Sequence, residues 1–112
     1  MEEWKVVYIE GIRTNYDISS LGRLRSRKTL RILKLGRTKF GRLKVQLCVK
    51  CKIHAKDLHV LVAEYFIGPR LYNRQIHHKD GNIDNNASSN LEYLNASKHV
   101  RHHRNLQFQL QA

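Results

Sequence analysis

The sequence has only two cysteines, a single proline, and no apolar run near the roughly 18 residues that a membrane-spanning helix needs. Two thiols are too few for a disulfide framework, so a stapled secreted scaffold is excluded. The N-terminus, Met1-Glu2-Glu3-Trp4, is acidic and lacks the apolar h-region of a secretory signal. These absences lead us to expect a cytoplasmic protein with no membrane partner. No internal repeat or low-complexity linker breaks the 112 residues, a length suited to one domain in which two sub-modules share a modest core.

Negative charge is also scarce. No acidic residue occurs between Asp17 and Asp57, and the chain carries 21 Lys and Arg against 9 Asp and Glu, a net charge of +12. An excess of this size exceeds what solubility requires and points to a polyanionic partner, for which nucleic acid is the usual candidate. The charge is concentrated in the first half: residues 1–52 hold 14 Lys and Arg against 4 Asp and Glu, and residues 53–112 hold 7 against 5. Arg23, Arg25, Arg27, Lys28, Arg31, Lys34, Arg37, Lys39, Arg42 and Lys44 recur through short apolar alternations, at the density a phosphate backbone demands. They are the expected DNA-binding residues.

Strand patterns come first along the chain and helix patterns later. Trp4 to Ile9 and Asp17-Ile18 read as short strands around a turn at Glu10-Gly11, and Gly22 to Ser26 alternates with its charges outward. Arg42 to Val49 has the clearest period of two, and a hairpin through Lys50-Cys51-Lys52 returns along Ile53-His54-Ala55. The first half is thus expected to be one small, basic, antiparallel sheet. Asp57 can cap a helix whose Leu58, Leu61, Val62, Tyr65 and Phe66 form one apolar stripe, with Gly68-Pro69 ending it. Beyond it lie a short strand from Arg74 to His78, a polar loop from Lys79 to Ser89, a returning strand from Leu91 to Leu94, and a final helix from an Asn95 cap to near Gln109.

Chemistry gathers in this second half. Ile76-His77-His78-Lys79-Asp80-Gly81-Asn82 is followed by Asn85-Asn86, by Asn90-Leu91-Glu92-Tyr93, and by Ser97-Lys98-His99-Val100-Arg101-His102. The series resembles the HNH endonuclease motif, most closely that of phage and intron-encoded homing-type nucleases. Glu3-Trp4-Lys5, Ser19 to Ser26 and Leu58 to Phe66 resemble the small modular domain that often precedes the motif.

The resemblance implies an α+β protein, with a small basic antiparallel β N-terminal module followed by a ββα-metal (His-Me finger) nuclease motif. We expect a DNA-binding module over residues 1–52 and an HNH nuclease domain over 53–112. The implied activity is metal-dependent hydrolysis of phosphodiester bonds in double-stranded DNA; the alternative is a degenerate, non-catalytic DNA-binding module. If a phage encodes the protein, its place is the host cytoplasm.

By the same resemblance, His78 is the general base, since a neutral imidazole can take a proton from attacking water, and Asn90 orients it. His77 aligns with a metal ligand. His99 stands where homing-type members usually carry an asparagine ligand. With His99 and His103 one turn apart on a helix face, the site also resembles the all-histidine site of bacterial toxin nucleases, and His102 competes with His103. Family analogy implies Mg2+, whereas imidazole ligands suit Zn2+, Ni2+ or Mn2+. A chain with so little after its motif is expected to have short-site specificity, unless a homodimer or an accessory protein supplies more.

Each assignment has a plainer rival. Arg101-His102-His103-Arg104 could be a solvated helix face, and Asp80, Gly81, Asn82, Asn85 and Asn86 are turn-formers, read as shaping the loop. Cys48, Cys51, His54 and His59 invite a zinc reading, but their spacing is shorter than a zinc finger's and Cys48 falls within an alternating strand. His59 reads as a packed or DNA-facing residue.

Overall fold

A computed structural model describes residues 2–70 and 74–95. The chain runs β1 (Trp4–Ile9), β2 (Ile12–Ser19), β3 (Leu24–Ser26), β4 (Gly36–Arg37), β5 (Leu43–Val49), β6 (Lys52–Asp57), α1 (Leu58–Phe66), β7 (Arg74–His78), a 3-10 turn (Ser88–Asn90) and β8 (Leu91–Asn95). Among the described residues the strands form three antiparallel sheets, in orders β1-β2-β3, β4-β5-β6 and β7-β8.

The β1-β2 and β5-β6 connections are two-residue turns with both central residues at positive φ: Glu10 and Gly11 at 52° and 79°, Lys50 and Cys51 at 51° and 64°. That geometry matches the right-handed twist of the flanking strands. α1 begins as expected at Asp57, whose backbone is extended (φ −69°, ψ 138°), although its carboxylate makes no capping hydrogen bond.

One hydrophobic core joins the elements. Val7, Ile9, Ile18 and Leu24 come from the first sheet, Val45 and Leu47 from the second, Leu58, Leu61, Val62 and Ala63 from α1, and Ile76 and Leu91 from the last ribbon. Tyr65 and Phe66, placed on the helix stripe by sequence, are only half-buried at its edge. Polar ties fix the sheets around the helix. The Tyr8 N–H donates to the Tyr65 hydroxyl (2.8 Å), Lys5 Nζ to the Tyr65 carbonyl (2.7 Å), and the Cys48 N–H to the Tyr16 hydroxyl (3.1 Å).

Two expectations are corrected. The first half holds two three-stranded sheets, because the chain leaves β3 through irregular backbone and re-enters as the two-residue β4, too short to show a period. β2 spans eight residues where two were expected. Thr14, polar in sequence, is buried within it and satisfies its hydroxyl by donating to the Val7 carbonyl at 2.6 Å. The expected terminal helix, with His99, His102 and His103, lies outside the described residues.

Candidate functional site

Alternation along β7 separates its two histidines. His78 pairs with Leu91 and shares the buried face of Ile76, whereas His77 pairs with Glu92 on the opposite face. His78 keeps 6 % of its surface open, and its ring lies 5.3 Å from that of His59 on α1, the planes tilted by 48°. His77 Nδ1 is 3.0 Å from Glu92 Oε2.

The amide that reaches the His78 ring belongs to Asn86. Asn86 Nδ2 donates to the Ile83 carbonyl (3.2 Å), which turns its Oδ1 toward His78 Nε2 at 2.9 Å. The imidazole must therefore carry its hydrogen on Nε2 and donate it, so a neutral ring holds its lone pair on Nδ1. Sequence gave the base-orienting role to Asn90 and read Asn86 as loop-forming. Asn90 instead knits the loop: its Nδ2 donates to Asp80 Oδ1 (3.0 Å) and the Asn85 carbonyl (2.9 Å), and its Oδ1 accepts from the Asp80 N–H (3.2 Å).

Asp80 is the hub of that loop. Its carboxylate also accepts from the Asn82 N–H (2.8 Å) and from Asn85 Nδ2 (2.9 Å), and these hydrogen bonds, the Asn85 amide first, hold it below the usual carboxylate range. Asp80, Asn82 and Asn85 thus shape the loop, as turn chemistry suggests.

The N-terminal half buttresses the site from two sides. Ser20 O accepts the Ser88 N–H at 2.7 Å, and Gly22, at φ +86°, lies so close to Asn86 that a Cβ there would sit 3.1 Å from the Asn86 carbonyl oxygen. On the other side, both guanidinium nitrogens Nη1 and Nη2 of Arg37 grip the Asp84 carboxylate at 2.8 and 3.3 Å. Each partner favours the other's charged form: Asp84 is pushed down and Arg37 up.

His59 has its pKa lowered to about 4, first by burial and then by the positive field of Arg42 and the neighbouring His78. It is neutral at physiological pH. Sequence left it as a packed or DNA-facing residue, and only the packing of α1 on the ribbon shows that it faces His78.

The cationic residues divide into two groups. Arg25 and Arg27 pair with buried Asp17 at 3.1 and 2.9 Å, Arg23 pairs with Glu2, and Arg37 with Asp84. Arg23 and Arg25 also stack over Trp4, the latter at 4.0 Å from the ring centroid. Lys28, Arg31, Lys34, Lys39, Arg42 and Lys44 make no ion pair among the described residues, and the first four are exposed.

Among the described residues, no three His, Cys, Asp or Glu side chains come together as metal ligands. Cys48 and His54 pair with Ile53 and Leu47, so they project from opposite faces of the β5-β6 hairpin, which rules out their joint zinc site. His77 keeps ligand-like chemistry, because a carboxylate on one ring nitrogen is the usual support for a histidine that ligates through the other.

With this geometry in place, the chain can be set beside known proteins. Residues 56–101 match the family described as HNH endonuclease, and residues 2–48 match the NUMOD4 motif. The chain thus carries an HNH endonuclease segment in its second half. It is 38% identical over 92 residues to the "Uncharacterized HNH endonuclease L245" of Acanthamoeba polyphaga mimivirus, a match covering 79% of this chain and 26% of that protein. It is 35% identical over 92 residues to the "DNA endonuclease I-HmuI" of Bacillus phage SP01, covering 82% of this chain and 52% of that protein. The chain therefore spans about a quarter and about half of these relatives. A solved structure described as "DNA binding and cleavage by the HNH homing endonuclease I-HmuI" superposes with a TM-score of 0.79 at 31% identity, covering 96% of this chain and 62% of that one. The HNH fold expected from sequence is thus present, as an antiparallel α+β domain. Among the described residues no helix is long and apolar enough to cross a membrane.

Proposed function

We propose that this HNH protein is a metal-dependent, homing-type endonuclease that hydrolyses phosphodiester bonds of double-stranded DNA in the cytoplasm of its cell. The observation that carries the reading is the His78 imidazole on the ribbon, its tautomer set by Asn86, with the Nδ1 lone pair as the base. Nδ1 takes the proton of a water attacking phosphorus; as the ring becomes an imidazolium, the Asn86 side-chain oxygen Oδ1 accepts a stronger, charge-assisted hydrogen bond. Asn90 acts through the loop, keeping the chain after His78 in one shape.

His77, backed by Glu92, would hold a divalent ion together with His99 and either His103 or His102. Such an ion, Mg2+ or an imidazole-favouring Zn2+, Ni2+ or Mn2+, would neutralise charge on the reacting phosphate and the leaving oxygen. Residues 1–52 are assigned the DNA grip and residues 53–112 the cutting. The unpaired cations Lys28, Arg31, Lys34, Lys39, Arg42 and Lys44 are the first candidates for phosphate contacts, with Arg23, Arg25, Arg27 and Arg37 serving the fold as well. A monomer has one site and nicks one strand per visit; a homodimer or accessory protein would extend its specificity.

Plasmid relaxation with and without EDTA, across Mg2+, Mn2+, Ni2+ and Zn2+, tests the reading. Nicking that needs metal and is lost in His78→Ala, with DNA binding retained, supports it. Binding without nicking in any of the four metals would leave a non-catalytic DNA-binding module.

A further inference from the structure

Phe40 has no part in the chemistry just described. It is the most exposed of the large apolar side chains among the described residues, with 78 % of its surface open. One exposed apolar residue is ordinary on a protein surface, but the support beneath this one is not. Phe40 stands at the tip of the β4-β5 connection, Thr38-Lys39-Phe40-Gly41. There the Thr38 hydroxyl oxygen accepts the N–H groups of Phe40 (3.3 Å) and Arg42 (3.2 Å), the Gly41 N–H donates to Thr38 O (2.9 Å), and the Thr38 N–H donates to Arg42 O (2.8 Å). The Arg37 guanidinium donates to Gly41 O at 2.8 Å while gripping Asp84. A single side chain thus fastens the Phe40 turn to the loop that carries Asp80 and Asn86.

The surroundings of the ring indicate its partner. Lys39 Nζ lies 5.4 Å from the ring centroid, and Arg37, Arg42 and Lys44 flank the turn. An apolar protein patch has no use for such a ring of cations. A duplex does, because it offers phosphates around a stack of flat apolar faces, and side chains that pry apart a base step are apolar wedges set among cations. A rigid turn also spares the ordering cost that a mobile loop would incur on binding.

We propose that Phe40 is a wedge that inserts at a base step of the DNA duplex, beside the phosphate presented to His78. The inference rests on the DNA-cutting reading above and adds a contact that is independent of charge. A wedge at a fixed place unstacks the duplex locally, so the protein favours base steps that part easily.

The test uses Phe40→Trp and Phe40→Ala in the full chain with a fluorescein-labelled 30-base-pair duplex. Anisotropy of the label reports binding, and indole fluorescence reports stacking, with the wild-type protein and its single Trp4 as the baseline. Under the proposal, Phe40→Trp fluorescence is quenched beyond the wild-type change as the duplex saturates. Phe40→Ala then binds about tenfold more weakly, with the same slope of log affinity against log salt, since no phosphate contact is lost. Normal anisotropy binding by all three proteins with no extra quenching and no loss in Phe40→Ala would overturn the wedge and leave the nuclease reading intact. No anisotropy change for the wild type would overturn both.

Discussion

Asn86 Oδ1 accepts the Nε2–H of His78 at 2.9 Å, and Asn86 is itself held by the Ile83 carbonyl at 3.2 Å. Both side chains are buried, so the bond stands in little competition with water. Removing the amide leaves a buried N–H without its acceptor, at about 1–3 kcal/mol, and frees the ring to adopt the unproductive tautomer. Asn86→Ala is expected to lower single-turnover nicking by about 10- to 100-fold, the usual cost of losing a group that orients a catalytic or ligating histidine, with unchanged DNA affinity. Asn86→Asp, which still accepts from Nε2, is expected to recover much of that rate. Equal rates for Asn86→Ala and wild type would show that the tautomer is set elsewhere.

Gly22 transmits the N-terminal half to the same pair. At φ +86° an alanine costs roughly 1–2 kcal/mol in backbone strain, and its Cβ would lie 3.1 Å from the Asn86 carbonyl oxygen and 3.2 Å from Asn86 Cβ. Gly11, at φ +79° with nothing within 4 Å, offers the matched control. Thermal melts should show both alanine variants losing stability from backbone strain, Gly22→Ala the more because of its close contact with Asn86, whereas only Gly22→Ala loses nicking beyond what its lowered melting temperature explains. Parallel losses of activity in the two would refute the coupling.

Acid sensitivity follows from His59. Its pKa is lowered to about 4 in the fold from an ordinary 6.5, first by burial. Above the ordinary value both the folded and unfolded chains hold it neutral. As the pH falls from there toward about 4, the unfolded chain takes the proton and the folded chain does not, so stability declines through that window and then levels off. His59→Gln removes this contribution. In melts at successive pH values, the wild type should lose stability with a steeper slope than His59→Gln between pH 6.5 and 4, and curves that stay parallel would contradict the burial argument.

The basic residues predict two distinct phenotypes. Asp17 is buried, and Arg25 and Arg27 neutralise it. Replacing both by alanine strands a charge in the core, a loss on the order of 3 kcal/mol, and is expected to lower the melting temperature. Replacing Lys28, Arg31, Lys34 and Lys39 by alanine should leave the melt unchanged while weakening duplex binding, and each lost phosphate contact should reduce the salt slope by about 0.9. A quadruple variant with an unaltered salt slope would move the DNA grip to another face.

Much of this architecture was legible in the residues themselves. Strict alternation in Leu43 to Val49 and the stripe of Leu58, Leu61 and Val62 gave β5 and α1 directly, and the short strand patterns of Arg74 to His78 and Leu91 to Leu94 around a polar loop gave the β7-β8 ribbon. What stayed hidden depended on contacts between distant segments. Asn86 looks like any turn residue until the loop folds back over His78, and Arg25 and Arg27 look like free cations until β2 brings Asp17 between them. Glu92 was recoverable in principle, since counting the hairpin register places it opposite His77. Period-two patterns fix which face a residue takes; they carry no record of which side chain on another element meets it.

Glu92 also yields the test that separates metal holding from proton transfer. Its carboxylate engages His77 Nδ1 at 3.0 Å, the position from which a carboxylate fixes the ring and raises the basicity of a histidine that ligates through its other nitrogen. Glu92→Gln keeps the shape and loses the charge, so it should raise the metal concentration for half-maximal nicking by about 10- to 100-fold while reaching the wild-type rate at saturation. His78→Ala should behave in the opposite way, with an unchanged metal requirement and a depressed rate that no excess of metal restores, because its deficit is in accepting a proton from water. Titrating Mn2+ into plasmid-nicking reactions of the wild type and both variants distinguishes the roles. If Glu92→Gln loses rate at saturating metal, or if His78→Ala is rescued by it, the division between the two faces of the ribbon is wrong.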